Sequence, residues 1–203
     1  MKTMKLLFTL LFAFAIASVG FGQNIAGSAH DMGGELWNAS GEICILCHTP
    51  HNAVTTEAVL WNHGVTVSAF TTYTSGTLNG TVTAPDGTSK LCLSCHDGTV
   101  GLEDFGGAGG VANLISGSAL VGLDLSNDHP VSITYTTATA SADGGLFDPS
   151  TTTSGLGSTI DADMLFSGSL ECASCHDVHD NSNGSFLRLA NTTSALCLTC
   201  HDK

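Results

Sequence analysis

Little regular secondary structure, with short helices at four repeated pentapeptides and a few short strands wrapped around a stacked chain of flat prosthetic groups, is the architecture that this sequence predicts. Three observations predict it. The pentapeptide Cys-x-x-Cys-His occurs at Cys44 to His48, Cys92 to His96, Cys172 to His176 and Cys197 to His201. These motifs consume all 8 cysteines of the 203-residue chain. Once a leader is set aside, about 45 residues remain per motif, rich in Gly, Ser and Thr and poor in large apolar side chains. Such a chain lacks the material for thick layers of helix and sheet, so its apolar side chains must cover something other than each other.

The pentapeptide says what they cover. Two cysteines one helical turn apart can bond to both vinyl groups on one edge of a haem, and the histidine that follows then sits beneath the iron. The cofactor-binding residues are accordingly Cys44, Cys47, Cys92, Cys95, Cys172, Cys175, Cys197 and Cys200, and the proximal iron ligands are His48, His96, His176 and His201. The predicted fold class is a multihaem cytochrome c with four covalent haems c. Paired Cys-x-x-Cys units also build zinc ribbons, and eight cysteines in a secreted chain also build disulfide frameworks. Neither requires a histidine after every second cysteine. No thiol is left for a disulfide, a nucleophile or an iron–sulfur cluster.

Along the chain, residues 1–22 read as a secretory signal peptide. Lys2 and Lys5 form its charged start, Leu6 to Val19 its apolar run, and Gly20 and Gly22 flank a cleavage point before Gln23. The run is about 14 residues, short for a bilayer span. Export, to the cell exterior or surface or alternatively to the periplasm, is the expected destination, with no membrane span after cleavage. No cysteine lies near the cleavage point, so lipid acylation has no acceptor.

Residues 23–101 form a first dihaem module and residues 170–203 a second. Leu91-Cys-Leu-Ser-Cys-His-Asp97 and Leu196-Cys-Leu-Thr-Cys-His-Asp202 are nearly identical, whereas the other two motifs carry a second histidine three residues on, in His48-Thr-Pro-His51 and His176-Asp-Val-His179. The order extended, plain, extended, plain marks an internal repeat. Residues 102–169 are a Gly/Ser/Thr-rich connector, expected to be mostly loop, to pack over haem faces or a neighbouring subunit, and to hold a short strand through Val131, Ile133 and Tyr135 and a turn at Gly144-Gly145. Its run Gly106-Gly-Ala-Gly-Gly110 lacks the strand-turn-helix setting of a dinucleotide site.

Five further histidines, His30, His51, His63, His129 and His179, are available for four distal positions. Full bis-histidine ligation is therefore possible with one histidine to spare, and Met32 and Met164 are sulfur alternatives. Iron with two nitrogen ligands has no position for a substrate and suits electron transfer. A histidine three residues after a proximal one lies on the same side of that haem, so His51 and His179 must each serve a different haem from the one beside them.

The chain carries 5 Lys and Arg against 18 Asp and Glu, and only Lys90, Arg188 and Lys203 of those cations lie beyond the leader. Nucleic acid and anionic lipid are thereby excluded as partners, while cationic redox proteins, metal ions and extracellular mineral acceptors fit. A multihaem reductase of nitrite or a similar small oxidant needs an open iron position and cations around it. Neither is evident in this sequence.

At Ser28-Ala-His-Asp31, Gly41-Glu-Ile-Cys-Ile-Leu-Cys-His-Thr-Pro-His51, Leu60-Trp-Asn-His63, Leu91-Cys-Leu-Ser-Cys-His-Asp-Gly-Thr-Val-Gly101, Asn127-Asp-His-Pro-Val-Ser132 and Ala195-Leu-Cys-Leu-Thr-Cys-His-Asp-Lys203, the chain resembles the doubled-CxxCH multihaem cytochromes. More narrowly, it is similar to the tetrahaem cytochromes that polymerise into extracellular nanowires. That resemblance implies a homopolymer in which one haem of each subunit is ligated by a histidine of the next. His51 is the position that matches the donated histidine, and His30 is the second choice. A soluble periplasmic tetrahaem shuttle with every ligand in its own chain is the alternative.

Overall fold

The computed structural model describes residues 25–202, so the expected signal peptide lies outside the described residues. Within them, regular structure is sparse and concentrated at the pentapeptides. The first motif is a 3-10 turn, Cys44–Leu46. The second closes the helix α1 (Gly87–His96), and the third and fourth form single turns, α4 (Cys172–Cys175) and α5 (Cys197–Cys200). In the first, third and fourth motifs the histidine N–H donates to the carbonyl of the first cysteine, at 2.9, 3.1 and 3.0 Å. That bond closes the turn that sets both cysteines on one side.

The connector is more structured than a loop. It contains β1 (Ile133–Thr134), α2 (Thr137–Asp143) and α3 (Ile160–Met164). Thr136 caps α2 by accepting from Thr139 N–H, and Thr159 caps α3 by accepting from Ala162 N–H, both at 3.3 Å. Gly144 ends α2 in the left-handed conformation, φ 67°, which only glycine adopts without a Cβ penalty. The expected turn at Gly144-Gly145 is thus a helix stop, and β1 occupies part of the expected strand. Its antiparallel partner is β2 (Ser169–Leu170), in the register Ile133 to Leu170 and Thr134 to Ser169.

The principal buried apolar cluster joins connector to C-terminal module. Tyr135, Ala140, Ile160 and Met164 pack with Leu196 and Cys200, and Leu146, Phe147, Leu187 and Leu189 close around them. The Tyr135 hydroxyl donates to Phe147 O at 2.7 Å, which satisfies the one polar group that this ring brings inside. Met164, a candidate ligand by sequence, lies within this cluster at 2% exposure. Arg188 donates to the carbonyls of Asp163 and Ala173, placing a cation at the end of α3. Among the described residues no helix is long and apolar enough to cross a membrane.

Candidate functional site

Three of the four proximal histidines are held by the segment that follows their motif. His48 Nδ1 donates to Val59 O at 2.6 Å, His96 Nδ1 to Ala119 O at 2.7 Å and His176 Nδ1 to Ser185 O at 2.9 Å. A carbonyl oxygen only accepts, so these contacts put the ring proton on Nδ1 and leave the Nε2 lone pair for a metal. His201 is held through its backbone, paired with Leu146 in an antiparallel bridge. The first and third motifs share a further device. Val59 and Leu60, and likewise Ser185 and Phe186, stand at positive φ (59°, 55°, 49° and 56°), and the next residue of each pair, Trp61 or Leu187, bridges to the proximal histidine. Consecutive non-glycine residues in that region are strained and persist only where their surroundings hold them. Here they turn a carbonyl onto the ligand's ring. Sequence reasoning missed this, because no glycine marks either position.

The distal candidates come in opposed rings. His30 faces His96 with ring centres 6.1 Å apart, His179 faces His48 at 6.0 Å, and His129 faces His201 at 6.3 Å. Two imidazoles that bind one iron from opposite sides hold their ring centres about 6 Å apart, since each metal–nitrogen bond is about 2 Å and each ring centre lies about 1 Å behind its nitrogen. The three separations meet that requirement, so the residues present fit axial ligation of a haem iron. Burial first, then the charges of His96 and His176, lower the pKa of His30 and favour the neutral imidazole that a metal needs. Among the described residues no cluster of three or more His, Cys, Asp or Glu side chains could hold a bare metal ion.

The remaining histidines stand apart. The exposed His51 ring makes no hydrogen bond, ion pair or ring contact among the described residues, its backbone alone meeting Thr49 Oγ1. Among the described residues no imidazole ring is opposed to His176 as His30 is to His96, although His30 lies near enough to feel the charge of both. His63 is buried and lies against backbone carbonyls. Met32 is half-buried in the N-terminal segment, its N–H donating to His30 O at 3.0 Å.

The second and third motifs meet directly. The Cys92 thiol donates to Cys172, which pushes the pKa of Cys92 up and that of Cys172 down. Nearby, Glu171 accepts from Ser89 of α1 and from Ser132 at 3.0 Å, and its own N–H donates to Ser174 Oγ at 2.8 Å. The first cysteines of two attachment sites are thus fixed side by side by a buried polar network. The only sequence signal for it is Glu171 standing three residues before Ser174, in the manner of a capping box.

Cysteine pairs on single helical turns, a histidine directly after each, and histidine rings opposed at the span of an iron fit the attachment and ligation of c-type haem. Residues 166–203 match the family described as Doubled CXXCH motif, which covers the last two attachment motifs. No curated protein matches the chain. The match and the motifs support a multihaem c-type cytochrome class, in which the Cys-x-x-Cys-His motif indicates covalent haem c with its iron and whose members are generally electron carriers.

Proposed function

We propose that this chain is the subunit of an extracellular conductive filament, carrying four bis-histidine haems of which the one held by Cys172 and Cys175 takes His51 of a second copy as its distal ligand. The observation that carries this reading is a complementarity. Among the described residues His51 is an exposed imidazole three residues after a proximal ligand with no ring partner, and His176 is a proximal ligand with no ring opposed to it. A row of copies in which each His51 reaches the His176 haem of the next satisfies both at every junction. The resemblance to nanowire cytochromes at His51 supports the same assignment.

Each haem supplies a one-electron iron couple when bound. The chain's own residues do the rest. Backbone carbonyls orient the proximal rings, the opposed imidazoles would hold a bound iron from both sides and keep small molecules from it, and the Cys92 and Cys172 contact brings two attachment motifs together. Few cations at the surface favour joining by coordination and loop packing over joining by charge.

Electron microscopy of haem-loaded protein recovered from outside the cells tests the proposal. Ordered filaments of wild-type protein, and four covalent haems without filaments in His51→Ala, are expected. Intact filaments from His51→Ala would overturn the His51 assignment, and monodisperse wild-type monomers at every concentration would favour the periplasmic shuttle.

A further inference from the structure

We infer that His63 is not an iron ligand but a positioning residue that registers the first attachment motif against the second. The inference rests on the four-haem reading above, which leaves one histidine of nine without an iron to bind. His63 is 2% exposed and belongs to a strap, residues 61–64, laid across both motifs. Trp61 bridges to His48. Asn62 grips the first motif twice, its N–H donating to Cys47 O at 3.0 Å and its side-chain amide to Ile45 O.

One residue further on, the strap reaches the second motif. His63 Nδ1 lies 2.8 Å from Gly64 O, Nε2 lies 3.0 Å from Gly101 O, and Cys95 Sγ is 3.6 Å from Nε2. The Trp61 ring meets the imidazole edge-on at 6.3 Å. Backbone bonds hold the strap on its other side, with Gly64 N–H donating to Asp104 O at 2.7 Å and Gly106 N–H to Asn62 O at 3.1 Å.

The contrast with the other histidines is one of ring nitrogens. His48, His96 and His176 turn Nδ1 to a carbonyl and keep Nε2 free, and His30, His129 and His179 face a partner ring. In His63 both nitrogens face carbonyl oxygens, and the ring that it meets is that of Trp61, two residues before it. Donation from Nε2 to Gly101 O spans 38 residues of chain, a loop that encloses the whole of α1. The imidazole therefore fixes where Cys95 sits relative to Cys47.

The test uses the full exported holoprotein with His63→Ala and His63→Gln, the glutamine amide restoring a donor toward Gly101 O. Four thioether-linked haems by mass and only low-spin ferric iron by electron paramagnetic resonance are expected in both. One midpoint potential should shift in His63→Ala and return toward the wild-type value in His63→Gln. A high-spin ferric signal from about one quarter of the iron, removed by added imidazole, would make His63 a ligand and overturn the inference. Potentials unchanged in both variants would remove the positioning role. Fewer than four thioether-linked haems in the wild type would defeat the four-haem reading, and this ligand count with it, before any variant is made.

Discussion

Ser89 of α1 donates its hydroxyl to the Glu171 carboxylate, joining the helix that carries the second attachment motif to the residue that opens the third. Both residues are buried, 82 positions apart in sequence, and Ser89 Oγ also accepts the Cys172 N–H at 3.0 Å. The partners of the carboxylate are hydroxyls rather than cations. Burial therefore raises its pKa above the ordinary 4.5, with Asp86 adding to the shift and the bonds from Ser89 and Ser132 opposing it. Between the unfolded and folded values the folded chain holds the proton more tightly, so this group's contribution is full below the unfolded pKa and is lost as pH rises through the folded one. Denaturant unfolding of wild-type holoprotein should show stability declining upward from about pH 4.5. Glu171→Gln should flatten that decline, and an identical profile in the variant would assign the dependence to another group.

The connector is expected to matter for stability rather than for haem loading. Ile160 is fully buried among Tyr135, Met164 and Leu196, so Ile160→Ala removes three buried carbons from the principal apolar cluster. A loss of about 3 kcal/mol is expected by denaturant titration, with the number of covalent haems by mass unchanged. A variant as stable as wild type would mean that this cluster contributes little to the folded holoprotein.

How far the sequence discloses all this differs from element to element. The attachment residues are legible because covalent thioether chemistry tolerates no other residue types. The strand at Ile133–Thr134 is legible from alternation, but its partner Ser169–Leu170 is not, since two residues carry no periodicity and pair only through tertiary contact. Helix α2 is hidden in a run of threonines, whose branched side chains have poor helix propensity, and burial of Ala140 overrides that preference. Ligand spacing separates His51 from the haem beside it. It says nothing of His179 standing opposite His48, a pairing made by folding the two modules together.

Those ring pairs make a spectroscopic prediction. His129→Ala should leave four covalent haems while converting the iron at His201 to a high-spin form, and filament assembly should persist because the two rings of this pair face each other within one chain, so neither is the ligand donated to another copy in the proposed arrangement. His179→Ala should do the same for the iron at His48. Electron paramagnetic resonance and electron microscopy of each variant read the two effects separately. Low-spin iron throughout in His129→Ala would show that the ring opposed to His201 is not its ligand.

The order of haem attachment and folding follows from the cysteines. Burial pushes the thiol of Cys47 up to about 11, that of Cys95 to about 12 and that of Cys200 to about 11. The thiolate is the reactive form, and a thiol with a pKa near 11 is ~0.01% ionised at pH 7, against a few per cent for a free cysteine. At these three cysteines the folded arrangement is thus a poor one in which to form thioethers, and attachment there is expected to act before the chain closes around them. The chain also has few buried apolar residues outside the cluster near Ile160 with which to fold alone. Protein produced with haem attachment blocked is expected to be largely unfolded by circular dichroism, lacking the near-ultraviolet signal of fixed aromatic rings. A native-like spectrum from such apoprotein would reverse the order, with folding first and attachment acting on buried thiols.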